Sequence, residues 1–359
     1  MKTPLIYPWK TAYGEDSEIY SVFVKMFSKG EYSWSEISPL KFPTYSPEST
    51  SGAYNLMKNL LAPKLINQEI EDAEDINNLF NYVKGNFFAK AGLEIAYWLL
   101  KAKVNAKPLH DLIGGVTKPV SVGADFGIQD SIKQLITKID LAVKSGYPRV
   151  KLKFRRGWDI DMLKTVRAVF PEFVFHIDCN SSFTLDDLEF LKKIDRFNLA
   201  MIEQPLQYND LLDHAKLQRE LSTPVCLDES IISPKIMEEA IYLESCKFVN
   251  IKFGRVGGIT NVLKIHNLAK DAKIPCWIGS MLESSVGMGI SAELATLPNC
   301  TYPADVFPSK SYYNEDLSSP EIELCKPGYI DVSHVPGIPY EPKPDMLKRN
   351  TLNKAVINS

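Results

Sequence analysis

Five charged residues recur along this chain at an almost constant interval. Lys153, Asp178, Glu203, Asp228 and Lys252 are separated by 25, 25, 25 and 24 residues, in the order cation, three acids, cation. Each is the last charged residue of a short apolar run, so the interval has the length of one strand-and-helix unit. In a closed barrel of such units all five side chains would reach the C-terminal rim, where barrel active sites lie. Three carboxylates converging there would raise one another's pKa unless a counter-charge offsets them. Oxygen-only ligands from Asp178, Glu203 and Asp228 suit octahedral Mg²⁺, with Mn²⁺ as a substitute, better than zinc, which favours nitrogen and sulfur. None of the five histidines ends a candidate strand. His176, two residues before Asp178, shares its face one layer deeper and reads as a hydrogen-bonded core or supporting group rather than a ligand.

The stretch "PRVKLKFRRG", 148–157, puts Val150, Leu152 and Phe154 on one face of a strand and Lys151 and Lys153 on the other. A solvated face is the ordinary reason for such neighbours. Beside a metal site the reason changes: two ammonium groups next to a cation and to each other should titrate below their ordinary value, which suits a base near neutral pH. Lys252 then offers a second cationic group across the bound substrate. The chemistry implied is removal of a proton α to a carboxylate, the enediolate being held by the metal and the ammonium groups.

Those residues need a barrel to carry them. From about Lys118 onward, short apolar runs alternate with amphipathic helices: "PVSVGADF", "RVKLKF", "FVFHID", "LAMIE", "PVCLD", "KFVNIK", "PCWIG" and "TYPADV" are the candidate strands. "TLDDLEFLKKI" begins with Thr184 as N-cap, and "SPKIMEEAIYL" with Ser233 followed by Pro234 at the first helical position. The helix after "PCWIG" is the least distinct. The first hundred residues differ: "EIYSVFVKMFS" and "EYSWSEI" read as a hairpin turning at Lys29-Gly30. Helices follow over "SPESTSGAYNLMKNLLAPKLI" and "NNLFNYVKGNFFAKAGLEIAYWLLKAK", with Gly92 on the packing stripe of the second. The expected architecture is an α/β chain: an α+β capping domain over 1–115, a (β/α)₈-type barrel over 116–306, and a tail over 307–359 returning to the cap. The hairpin near Tyr20 to Tyr45 should close the barrel mouth.

The formal net charge of −3 and the absence of a basic tract argue against nucleic acid or an anionic membrane as partners. No apolar run approaches the roughly 20 residues that span a bilayer. The start "MKTPLIYPWKT" lacks a signal-peptide core, and six scattered cysteines without a C-x-x-C pair read as reduced thiols, so a cytoplasmic enzyme is expected. A small-molecule carboxylate is the expected partner; a homo-oligomer is compatible with the composition.

These motifs resemble the enolase superfamily, in its muconate-lactonizing subgroup, and more closely the o-succinylbenzoate synthase / N-acylamino acid racemase family. "VKLKF", "HIDCNSSFT", "MIEQPL", "CLDES" and "NIKFGRVGGI" match its barrel strands in order, and "GSMLESSVG" resembles its seventh-strand loop, Ser280, Met281 and Glu283 included. "YPWKTAYG", "PTYSPEST", "AKAGLEIAYWLLKAK", "PLHDLIGG" and "PADVFPSKSYYNEDL" extend the likeness over most of the chain. The resemblance implies a modified TIM barrel, Asp178, Glu203 and Asp228 as Mg²⁺ ligands, and Lys153 and Lys252 as the acid/base pair. It also implies that Lys151 tunes Lys153, and that Asn180, Gln204 and Glu229 are positioning groups. Arg255, three residues past Lys252, is either a group that orients or tunes that lysine or an exposed loop charge. Departures lie in Cys179, where a small residue is usual, in the hairpin "YSWSEI", in the arginine-free "SSVGMGI" and in a short first strand.

The activities implied are, first, o-succinylbenzoate synthase, the dehydration of 2-succinyl-6-hydroxy-2,4-cyclohexadiene-1-carboxylate in menaquinone synthesis, and second, N-acylamino acid (N-succinylamino acid) racemase using both lysines. A dipeptide epimerase ranks third. A dehydratase with a His-Asp dyad lacks its strand-end histidine, and a non-catalytic barrel would be expected to have lost at least one of the five residues.

Overall fold

Seven short strands lie side by side in chain order, all parallel: Ala124–Phe126, Val150–Lys153, Phe175–Asp178, Ile202–Glu203, Val225–Leu227, Phe248–Ile251 and Cys276–Ile278. They belong to a computed structural model that describes residues 1–358. The eighth run, "TYPADV", makes no ladder, yet its backbone joins the two edges. On one side Thr301 and Asp305 N–H donate to the Cys276 and Ile278 carbonyls at 3.1 and 2.9 Å; on the other Ala304 N–H donates to Ser121 O at 2.9 Å and Ala304 O accepts from Gly123 N–H at 3.0 Å. The sheet thus curls into the expected barrel with one extended segment as its eighth stave.

Two elements differ from their sequence reading. "PVSVGADF" breaks at Val122-Gly123: Val120–Ser121 pairs antiparallel with Tyr329–Ile330, and only Ala124–Phe126 enters the barrel. At the break only glycine fits, since a Cβ at Gly123 would lie 2.1 Å from the Nε of buried Arg149. The helix after "PCWIG" is regular over Ser285–Leu294, and all ten residues are buried. A helix with no wet face leaves no amphipathic period to read. Thr184 does cap its segment in a capping box with Asp187, although most of that segment winds as 3₁₀ helix, and Ser233 Oγ accepts from Ile236 N–H at 3.3 Å.

Strand Lys2–Lys10 pairs antiparallel with Glu15–Tyr20, and Val22–Ser28 with Glu31–Ile37. The second hairpin turns at Lys29 and Gly30, both left-handed with φ of 54° and 81°, the two-residue type I′ geometry that matches strand twist. It packs on helix Phe87–Val104, where Gly92 permits close approach: its Cβ would meet Met57 Cε at 2.7 Å, and Ser35 Oγ donates to its carbonyl at 2.6 Å. The tail runs over both parts. Tyr312 O accepts from Ile6 N–H at 2.9 Å, Gly337 N–H donates to Lys107 O at 2.9 Å, and Tyr329–Ile330 pairs with Val120–Ser121. Among the described residues no helix is long and apolar enough to cross a membrane.

Two buried glutamates of the N-terminal unit reach the starts of barrel helices. Glu36 accepts from Ser284 Oγ at 2.5 Å and Gly287 N–H at 3.1 Å; Glu94 accepts from Ile259 N–H and Thr260 N–H, both at 2.8 Å. Each satisfies donors that a helix start leaves free. Burial nevertheless pushes the Glu94 carboxyl up to about 7, against those hydrogen bonds. A folded-state value above the ordinary carboxylate range contributes stability that is present below about pH 4.5 and is lost as pH rises through about 7. Glu94→Gln should therefore remove a fall in stability between pH 5 and 8, seen as a flatter dependence of the urea midpoint on pH than in the wild type. Parallel slopes would refute the assignment.

Candidate active site

The register of the strands brings the charged ends together. Lys153 pairs with Asp178 and Asp178 with Glu203 as Cα neighbours, and Asp228 follows the strand whose Cys226 pairs with Glu203. Lys153 Nζ lies 2.6 Å from Asp178 Oδ2, and Lys252 Nζ lies 3.0 Å from Asp228 Oδ2. Arg255 is buried, not an exposed loop charge: it pairs with Asp228 Oδ1 and donates to the Ile231 and Asn250 carbonyls at 2.9 and 2.7 Å. Glu203 is held through Oε1 by Asn250 Nδ2 at 2.6 Å, while its Oε2 is buried without a hydrogen-bond partner.

A small cavity sits over these groups. Lys151, Lys153, Lys252, Asn180, Ser280 and Met281 line it from the barrel. From the N-terminal unit come Trp9, Tyr13, Asp16, Ile19, Leu40 and Tyr45. No residue of the Val22–Ile37 hairpin does; closure falls instead to the segments before and after it, because the hairpin itself is committed to packing on helix Phe87–Val104. The room left, about 40 Å³, holds a few waters, so these segments must move to admit a substrate. Asp178, Glu203 and Asp228 lie outside the lining, beneath the ion pairs of the lysines and arginine.

The remaining sequence candidates support the site from its wall or from behind it. Gln204 Oε1 accepts from Asp228 N–H at 2.9 Å, and Asn180 Nδ2 donates to Glu229 Oε1 at 3.1 Å. Glu283 does not face the cavity; its Oε2 accepts from Met281 N–H at 2.6 Å and so fixes the loop that presents Ser280 and Met281. Met281 Sδ rests 3.7 Å from Lys252 Nζ. His176 binds Tyr302 through Nδ1 at 2.9 Å in the barrel floor.

Lys151 corrects the reading of the tandem lysines. It pairs with Asp305 and, at 3.1 Å, with Asp125 Oδ2, and Asp305 is shared with Arg149 at 2.6 Å. Burial acts to lower Lys153, yet Asp178 and Asp125 outweigh it and hold the ammonium above its ordinary value; Lys151 and Lys252 are likewise held up by their carboxylates. The expectation of depressed lysines supposed a bound cation; Asp125 and Asp305, two acids it did not count, act in the opposite direction. Asp125 and Asp305 are the last charged residues of the first and eighth runs, and the strand-end rule applied to "PVSVGADF" and "TYPADV" would have found both. Tyr45 and Asn250 carried no such signal. Tyr45 OH accepts from Arg255 at 2.6 Å and donates to Asp228 Oδ2 at 3.1 Å, and Lys252 Nζ stands 4.4 Å from the ring centre.

Whether a divalent cation suits this site can be judged from its charges. Six buried carboxylates (Asp125, Asp178, Glu203, Asp228, Glu229 and Asp305) meet five cationic side chains (Arg149, Lys151, Lys153, Lys252 and Arg255). Burial and the neighbouring Asp178 push Glu203 up to about 8, and burial with Asp228 raises Glu229 well above the carboxylate range. Among the described residues no three such side chains close on a common point, because Asp178 and Asp228 are turned toward their cations. The donor set itself, oxygen only and acid-rich with one orphaned Glu203 oxygen, fits a hard cation.

Known proteins share this layout. Residues 1–114 match the model of the mandelate racemase / muconate lactonizing enzyme N-terminal domain, and 134–346 that of the enolase C-terminal domain-like family. The chain is 38% identical to an N-succinylamino acid racemase of Thermus thermophilus over 98% of its length and 95% of the relative's. It is also 38% identical to an o-succinylbenzoate synthase of Geobacillus stearothermophilus, over 96% and 92%. A solved enolase-superfamily member from Listeria innocua superposes with a TM-score of 0.92 at 35% identity, over 97% of this chain and 94% of that one.

Proposed function

Since the chain belongs to the mandelate racemase / muconate lactonizing enzyme family of the enolase superfamily, we propose that it abstracts the proton α to a substrate carboxylate, acting as an o-succinylbenzoate synthase. The observation that carries this reading is the pairing of two cavity lysines with strand-end carboxylates, Lys153 with Asp178 and Lys252 with Asp228. Asp178, Glu203 and Asp228 would hold Mg²⁺, or Mn²⁺, which when bound supplies the positive charge that acidifies the α-proton. Occupation of those carboxylates by a cation would weaken their hold on the lysines, leaving Lys153 free to take the proton. In the dehydration Lys153, as the acid so formed, would return that proton to the departing hydroxyl while Lys252 stabilises charge. Lys151, fixed between Asp125 and Asp305, adds a permanent cation beside Lys153. Gln204, Asn180, Glu229 and Arg255 orient the acids, and Ser280, Met281 and Glu283 shape the wall by Lys252.

A second reading, N-succinylamino acid racemase, is favoured by both lysines lining one cavity at similar burial. Their strands are four apart in the seven-strand order, so they approach a bound α-carbon from different sides. Lys252→Arg keeps the charge but raises the pKa beyond use as a base. With a racemisable N-succinyl amino acid in D₂O, it should stop α-proton exchange of one enantiomer and leave that of the other measurable. Equal loss of both would reduce Lys252 to an electrostatic group. An unmodified protein that exchanges neither enantiomer yet dehydrates the cyclohexadiene would leave the synthase alone; failure with both substrates would overturn both readings.

A further inference from the structure

Asp125 is the middle residue of the first barrel strand, with Lys151 as its register neighbour on the second, and it lines the cavity that holds Lys153 and Lys252. Its Oδ2 lies 3.1 Å from Lys151 Nζ, while its Oδ1 is buried and has no hydrogen-bond partner. Lys153 and Lys252 are committed to Asp178 and Asp228 at 2.6 and 3.0 Å and do not satisfy it. A second orphan lines the same cavity: Asn180 Oδ1, whose identity as the oxygen is set by Asn180 Nδ2 donating to Glu229 at 3.1 Å. Two residues of the cavity wall therefore carry unused acceptors, both covered while the segments over the cavity are closed. Buried acceptors without donors are rare in native proteins, and those in a cavity wall ask for a donor from the ligand.

We infer that Asp125 is a specificity-determining residue that accepts a hydrogen bond from the amide N–H on the reacting carbon of an N-acylamino acid. The inference rests on the racemase reading above and sharpens its substrate class. Carboxylate and acyl oxygens of such a substrate are acceptors and belong with the lysines; the amide N–H is its donor next to the reacting carbon. In the cyclohexadiene carboxylate the ring carbon that carries the succinyl group takes the place of this nitrogen and has no hydrogen to donate. Asp125 thus has a donor to meet on the racemase substrate and none at that position of the dehydration substrate.

The test compares α-proton exchange in D₂O for an N-succinyl amino acid and for the ester counterpart in which oxygen replaces N–H. The quantity read is the ratio of their kcat/KM values. Intrinsic differences in acidity, and any general damage through Lys151, affect both compounds and cancel when ratios are compared between proteins. The wild-type preference for the amide should exceed that of Asp125→Ala by at least ~10-fold, because an acceptor aimed at N–H is repelled by an ester oxygen. If the alanine variant does not fold, Asp125→Asn serves: Lys151, a donor only, takes the amide oxygen and leaves –NH₂ facing the substrate, so the same ratio should again fall at least ~10-fold. An unchanged ratio with active protein overturns the role of Asp125, its oxygen then being met by water, and leaves the racemase reading standing. A wild-type protein that exchanges neither compound overturns both.

Discussion

Lys153→Ala is expected to lower kcat/KM by at least ~10³-fold with either class of substrate, since a positioned acid/base group contributes ~10²–10⁴-fold and this one serves both reactions. The substitution also strips Asp178 of a partner 2.6 Å away in a buried site, so part of any loss could reflect stability. Lys153→Arg separates the two effects. It keeps the cation against Asp178 but holds its proton at any working pH, and should be folded, with an unaltered melting temperature within a few degrees, and as inactive as the alanine variant. Turnover near the wild-type level in either variant would sink the assignment of Lys153 as the base.

Removal of divalent metal should have a comparable effect. Dialysis against a chelator is expected to take activity to background, and Mg²⁺ or Mn²⁺ to restore it, because the acid-rich site and the carboxylate substrate need the added charge. A second readout is independent of turnover. A ligand that binds only the folded protein stabilises it by about 2.7 kcal/mol at a hundred times its Kd, so the melting temperature should rise with Mg²⁺ concentration. Glu203→Gln, which neutralises the carboxylate whose Oε2 lacks a partner, should abolish that rise. Full activity in carefully demetallated protein, or a Glu203→Gln variant that Mg²⁺ still stabilises as well as the wild type, would refute the metal site.

Much of this protein was legible before folding. The interval of 24 or 25 residues from Lys153 to Lys252 requires only that each strand end carry one charge and that each unit have one length. Strand ends, caps such as Thr184 and Ser233, and the Lys29-Gly30 turn are local features, decided by neighbours within a few residues. That locality is why the barrel, its rim and its principal charged residues could be read in order from the chain.

Pairing was decided by the tertiary structure alone. Asp178 meets Lys153 across adjacent strands, whereas Asp228 is shared by Lys252, by Arg255 and by Tyr45, which arrives from 183 residues away. Lys151 turns to Asp125 and Asp305, and each of the three lysines is held up by the carboxylates it meets, Lys252 by Asp228 above all. Periodicity names the side chains that share a rim, but a titration depends on distances of a few ångströms and on burial, which exist only once distant segments meet. The orphaned oxygens of Asp125, Asn180 and Glu203 belong to the same class: an acceptor is recognised as unused only when every donor around it has been placed.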